Sequence, residues 1–305
     1  MKQFGQLIVI SLMAIIFIPA VITITFGNHQ LVGTHTSMTQ ITQKEQANKE
    51  KDQMREQQLI GMIAKAIPIS YEAEILKVHA IMARSHMALV EGDASKVQAI
   101  PTMSVAEMKE LWGSDYGKNY AKMKKAVEDT QGIIVTYENQ PIQLVYHLQS
   151  AGDTQSSLDI WDIEVPYLQS VESLDDQKAP DLITKKEYSS QEIIKKVNQH
   201  YNTTVLEPYA LETQMQIIER TQGGYVKSIQ VGNQLMRGDD FRKLLNLRSG
   251  NFICQYDGEY MSVVTKGAGH GVGLSQYGAN EMAKRGESYG EILSHYFPDT
   301  TLVSE

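Results

Sequence analysis

The chain has 305 residues, of which 42% are hydrophobic and 21% charged, and its formal net charge is −8. An acidic balance of that size excludes broad nucleic-acid binding and docking on an anionic membrane surface, both of which need a basic footprint. The single cysteine, Cys254, excludes an intramolecular disulfide and any all-cysteine metal site.

The first element in chain order is apolar. Leu7 to Phe26 reads LIVISLMAIIFIPAVITITF, without a formal charge. A helix of that length, rising about 1.5 Å per residue, spans a hydrocarbon core of roughly 30 Å. Residues 7–26 are therefore expected to form an uncleaved transmembrane anchor, since no small-x-small cleavage site follows the run. Lys2 and the terminal amine flank its start, and no basic residue follows until Lys44. That asymmetry expects residues 1–6 in the cytoplasm and the remainder outside, on a single-pass protein of the cell membrane. Residues 27–58 are rich in Gln, Thr, Lys and Glu and read as a polar linker, with a solvated charged helix possible over Gln43–Gln58. The folded domain is expected over 59–305, one large unit by size.

Within the domain, Tyr71 to Val90 carries Ile75, Met82, Ala83 and Leu89 at helical spacing. Further helices are expected over Val105–Trp112, Tyr120–Asp129 and Gln191–Tyr201. Ile133–Tyr137 and Ile142–His147 read as a hairpin across Glu138-Asn139-Gln140-Pro141. Tyr225–Val231, Phe252–Tyr256 and Tyr260–Thr265 read as strands, and Ser275–Lys284 and Tyr289–Tyr296 as helices. No period of 20 to 50 residues repeats. Mixed elements without regular strand–helix alternation predict an α+β fold, a single large mixed extracytoplasmic domain behind the anchor.

Lys266 to Gly278, KGAGHGVGLSQYG, is the densest candidate for chemistry, with glycine at 267, 269, 271, 273 and 278 around His270. Such glycines let a backbone approach a ligand or adopt positive φ, and Ser275 could cap the helix that follows. A phosphate cradle is excluded, because the Walker lysine is missing. A ligand site and a glycine-rich turn whose histidine satisfies backbone groups both remain open here.

This stretch, continued as ANEMAKRGESYGEILSHYFPDT, closely resembles the signature that ends the stage II sporulation protein D family, the SpoIID/LytB domain. Leu274 stands where the family has Met, and Phe297-Pro298-Asp299-Thr300 where it closes on Tyr-x-Pro-Gly-Thr. Other blocks agree in order. Glu74-Ile75-Leu76-Lys77 through Ala83-Arg84-Ser85 resembles the family's long helix. Ala126-Val127 with Thr130 and Gly132, then His147 to Thr154, resemble the family's hairpin ending in a Ser-Gly-Gly-x-Thr loop, and Val165-Pro166-Tyr167-Leu168 and Leu247-Arg248-Ser249 resemble two more blocks. The resemblance covers nearly all of residues 59–305.

The resemblance implies cleavage of peptidoglycan glycan strands by lytic transglycosylation during engulfment in a sporulating bacterium. That reaction needs one proton donor at the glycosidic oxygen, which then accepts a proton from the sugar's own hydroxyl. The family writes Glu-Met-Pro shortly before its long helix, and the resemblance implies that this Glu is the acid. This chain reads Ala66-Ile67-Pro68, and alanine transfers no proton. Two readings follow. Either Glu74 is the acid, or the domain is a degenerate module that binds glycan or recruits partner cell-wall enzymes. On a helix Glu74 shares a sector with Lys77 and Arg84, which suits an ion pair at least as well as a general acid. Substrate contacts are expected at Lys77, Arg84, His147, Ser150, Thr154, His270, Ser275, Gln276 and Tyr277, although Ala151 and Asp153 depart from the family's loop. His79 and His86, seven apart, read as core histidines rather than metal ligands, and Cys254 as a small buried hydrophobe. No cofactor and no metal are expected. The expected partners are glycan strands, the membrane through 7–26, partner cell-wall enzymes and no nucleic acid.

Overall fold

The computed structural model describes residue 46 and residues 53–304, apart from 92, 94, 97, 98 and 202–204. The anchor expected over 7–26, the tail before it and most of the linker lie outside the described residues. Among the described residues no helix is long and apolar enough to cross a membrane. Two compact units are distinguished, residues 1–57 and 58–305. The second is the α+β domain.

Residues 53–66 are helical, and the part from 58 onward, α1, belongs to the domain. Further described helices of the first half are α2 (Ala73–Leu89), α3 (Val105–Trp112), α4 (Tyr116–Glu128) and the short α5 (Ser157–Trp161), and residues 95–96 are helical as well. Helix α2 is the centre of the first core. Ile75, Leu76, Val78, Ile81 and Met82 are all buried in it, against α4, β1 (Ile133–Tyr137), α9 (Gln276–Lys284) and α10 (Tyr289–Tyr296). Burial of this kind, at about 25 cal/mol per Å² of apolar surface, supplies most of this helix's stability. Ser85 ties α2 to the sheet: its Oγ donates to Ile81 O at 2.7 Å and accepts from Val135 N at 2.8 Å.

The expected hairpin is only half present. β1 pairs with β2 (Gln140–Pro141) for two residue pairs, and its other edge takes β11 (Thr301–Ser304). Pro141 has no N–H to continue the ladder, and Ile142 and Leu144 turn into the core instead. The chain re-forms a strand at β3 (Tyr146–His147), which pairs in parallel with β10 (Leu274–Ser275).

The second core lies under two three-stranded sheets. One has the order β4 (Ile183–Ser189), β9 (Tyr260–Lys266), β8 (Asn251–Asp257); the other is β5 (Met215–Arg220), β6 (Val226–Val231), β7 (Gln234–Arg237). All their pairings are antiparallel. Helices α6 (Ser190–His200) and α8 (Gly238–Leu245) contribute Ile193, Val197, Phe241 and Leu245 to it, with Phe241 stacked on Phe252 at 5.5 Å. The four-residue α7 (Leu211–Gln214) leads into β5. Strands β4, β5 and β7 and helix α8 are elements that the hydrophobic pattern did not announce.

β9 runs directly into the glycine-rich segment, which crosses to the first core and ends in α9. Four of its glycines have positive φ. At Gly273, with φ +73°, a Cβ would stand 2.3 Å from Val145 O; at Gly269, one would stand 2.6 Å from the Cβ of His147. The close approach that these glycines permit is to the protein's own 145–150 strand segment. Gly286 also has positive φ (+94°) but has nothing within 4 Å of a built Cβ. Gly273→Ala is therefore expected to lower stability by about 2 kcal/mol or more beyond Gly286→Ala, because both share the backbone strain and only the first adds a clash. Denaturant unfolding of the two variants checks this.

Candidate functional site

Ala66 ends α1, and the turn from it to α2 is held by its backbone. Gln276 Nε2 donates to Ala66 O at 2.9 Å. Lys122 Nζ reaches over from α4 and donates to Ile69 O at 2.8 Å and Tyr71 O at 2.6 Å. Asn280 Oδ1 accepts from Glu72 N at 2.8 Å. Three side chains from two helices thus fix residues 66–72 without using the side chain at 66.

Ala66 is half-buried at the edge of a cleft of about 200 Å³. Its walls are Met62, Ile63, Met82, Ala83, Ile100, Pro101 and Leu144, and its polar groups are Lys65, His79, His86, Gln143 and Tyr146. No carboxylate lines it. His79 is buried, with its ring edge-on to Tyr146 at 4.9 Å. Its Nε2 lies 3.2 Å from Gln276 Nε2, an amide donor, so the imidazole carries its proton on Nδ1. Burial lowers its pKa to about 3. His86, half-buried, is shifted down by the same cause.

Glu74 is not among the residues lining this cleft. Its Oε1 accepts from Lys77 Nζ at 2.7 Å and its Oε2 from Tyr289 N at 2.9 Å, at the start of α10. A carboxylate at that place complements the orphan N–H groups and positive end of a helix. Lys77 also approaches Asp129, at 3.5 Å, and these partners raise its pKa. Arg84 is buried, not a surface cation: its guanidinium donates to Val127 O and Ile133 O, both at 3.1 Å, and so closes the carboxyl end of α4.

Two of the remaining expected contacts, Ser150 and Ser275, meet at a residue that the sequence did not mark. Asp176 is fully buried, in a 3-10 turn over Leu174–Lys178. Its carboxylate accepts from Ser150 N at 3.0 Å and Ser275 Oγ at 2.8 Å, and Gln149 Nε2 donates to its backbone oxygen at 3.2 Å. Among the described residues no cation stands within ion-pair distance of it. Desolvation accordingly raises its pKa, against the opposing hydrogen bonds of Ser150, Ser275 and Ser173. Ser275 meanwhile caps α9 by accepting from Gly278 N, which is the role expected of it. Gly278 has no room for a Cβ, which would fall 2.2 Å from Ser173 Oγ and 2.5 Å from Tyr296 Oη. Thr154 Oγ1 accepts from Val171 N at 2.9 Å. Tyr277 is half-buried, and its N–H donates to Leu148 O at 3.0 Å.

His147 and His270 have opposite tautomers, both set by Val272. The Val272 carbonyl accepts from His147 Nδ1 at 3.2 Å, while the Val272 N–H donates to His270 Nδ1 at 3.0 Å. The rings lie 5.8 Å apart, and His270 packs on Trp161 at 5.2 Å. His147 Nε2 is buried without a partner. Burial lowers the pKa of His147 to about 3 and that of His270 to about 4. Of the expected contacts, Gln276 bonds to Ala66 and His79 of the lining and His270 to the backbone of Tyr146. Cys254 is half-buried in β8, and burial raises its thiol to about 12. Among the described residues no three His, Cys, Asp or Glu side chains are grouped to hold a metal ion.

Two tests follow from this frame. Asp176→Ala strands the Ser150 N–H and frees Ser275, and is expected to cost about 3 kcal/mol in denaturant unfolding, with Asp176→Asn costing less. The histidines predict a pH dependence. Unfolded imidazoles take a proton near 6.5, whereas folded His79 and His147 wait until about 3 and His270 until about 4. The unfolded state then binds more protons in that window. Stability is complete above about pH 7 and declines as the pH falls through 6.5 toward 4, by about 1.4 kcal/mol per pH unit for each histidine. Asp176, whose carboxyl is raised, acts in the opposite sense. His147→Asn, which keeps a donor for Val272 O, should flatten the decline by one histidine's share, as measured by chemical unfolding between pH 7 and 4.

A profile of the family described as "Stage II sporulation protein" matches residues 43–137. Stage II sporulation protein D of Bacillus amyloliquefaciens is 35% identical over 254 residues, covering 79% of this chain and 72% of that protein. Stage II sporulation protein D of Bacillus subtilis is 32% identical, over 81% of this chain and 74% of that protein. The amidase enhancer of Bacillus subtilis is similar at 24% identity, over 81% of this chain and 40% of that protein. With its glycine-rich segment, long helix and intervening loops assembled into one frame, the chain belongs to the stage II sporulation protein D family.

Proposed function

We propose that this sporulation protein acts at the cell wall by binding, recruiting partner proteins and holding glycan strands, and that it does not itself cleave them. The observation that carries this reading is the cleft at Ala66. Lytic transglycosylation asks one group to protonate the glycosidic oxygen and then recover a proton. None of the thirteen residues around the cleft is acidic. His79 is neutral, and its Nε2 is occupied by Gln276. Glu74 has both oxygens bonded, one to Lys77 and one to the Tyr289 N–H, and serves α10 rather than the cleft. In this reading the apolar segment 7–26 tethers the domain to the outer face of the cell membrane, within reach of the wall.

The test uses the full-length protein and purified sacculi. Sedimentation with the sacculi and no release of 1,6-anhydro-muramyl products by mass spectrometry are expected. Release of those products by the natural chain would overturn the reading. Their loss in Glu74→Gln would then make Glu74 the acid.

A further inference from the structure

The cleft at Ala66 does not end at His86. A second cavity of about 600 Å³, lined by His86, Leu89, Val90, Lys96, Ala99, Ile100, Pro101 and Gln143, shares four of its residues with the first. The two open into one groove along α2. The residues that α2 presents to it are His79, Met82, Ala83, His86, Leu89 and Val90. Their spacing alternates three and four, the stripe by which one helix receives another. From His79 to Val90 the stripe runs about 16 Å at helical rise, or three turns. Helix α1 forms one wall of the groove through Met62, Ile63, Lys65 and Ala66, and the helical Lys96 stands at the other end, so the space left open lies between them. α4, α9 and α10 pack on other sides of α2.

The chemistry of the walls selects an occupant. Most of the lining is aliphatic or thioether, with Met62 and Met82 as the adaptable surfaces common where one site accepts a helix. The charged residues of the lining are basic, Lys65 at one end and Lys96 at the other, each with a carboxylate nearby, Glu107 for Lys65 and Asp93 for Lys96, while no carboxylate lines the groove itself. Lys96 already has Asp93 at 3.4 Å, a solvent-exposed pair that contributes little and exchanges readily. We propose that the groove receives an amphipathic helix of about three turns from a partner protein, apolar on one face and acidic along its flanks. The proposal rests on the partner-recruiting part of the reading above and names the class of partner.

The test is fluorescence anisotropy of full-length protein with two labelled synthetic helical peptides, both carrying leucine at alternating three- and four-residue spacing. One has glutamate on the flanking positions and the other lysine. The glutamate peptide is expected to bind at least tenfold more tightly, with affinity falling as salt is raised. Leu89→Glu and Lys65→Glu, both at exposed positions that need not disturb the core, are each expected to weaken it at least fivefold. Leu111→Glu, an equally exposed apolar position (61%) outside the groove, should leave it unchanged. Equal binding of the two peptides, no binding of either, or indifference to Leu89→Glu and Lys65→Glu overturns the proposal. Sacculus retention with no peptide binding removes this proposal alone. Peptide binding by a chain that also cleaves sacculi removes the non-cleaving reading and leaves the groove.

Discussion

The domain depends on one buried carboxylate. Asp176 sits where the 145–155 segment, the turn before β4 and the start of α9 meet, and its oxygens join two of them through Ser150 and Ser275. An ionised group in such a place costs several kcal/mol unless its hydrogen bonds are complete. Here they come from a backbone N–H and a helix-capping hydroxyl rather than from a cation. That arrangement is directional, so it sets the position of α9 against the 145–155 segment in a way a diffuse apolar contact would not. Tyr296 and Ser173, hydrogen-bonded to each other at 2.7 Å, close the remaining side.

From α9 the constraint reaches the cleft. Gln276 follows Ser275 directly, and its amide spans Ala66 O and His79 Nε2, so the cap that anchors α9 also fixes the cleft's floor. Position 66 is nonetheless free to vary. Every bond that holds its turn goes to a main-chain atom: Ala66 O, Ile69 O, Tyr71 O and Glu72 N. An acidic side chain can be lost there without loosening the frame. This explains physically how the frame of the cleft stands whatever side chain position 66 carries.

The polar residues that the family signature singles out are, in this molecule, mostly internal. Arg84, His147, Ser150, Thr154 and Ser275 are buried and engaged with backbone or with Asp176. The pattern of the glycines has the same origin: Gly269 and Gly273 lie against His147 and Val145 at distances only hydrogen would tolerate. Chemical type alone does not separate a serine that meets a sugar from one that satisfies a buried carboxylate, because both need the same hydroxyl.

By itself the amino-acid sequence determined the α+β class, the long helix, most of the other helices, the strands at 226–231 and 251–266 and the cap at Ser275, all of which rest on local periodicity or local hydrogen bonding. Tertiary structure decided the rest. The strand Ile183–Ser189 is polar on its exposed face and exists because β9 offers it a ladder. The second hairpin arm dissolved at Pro141 and was claimed by a parallel partner more than a hundred residues away. Asp176 acquired its importance only when three distant segments removed it from water, and no spacing in one chain records which carboxylate that will be.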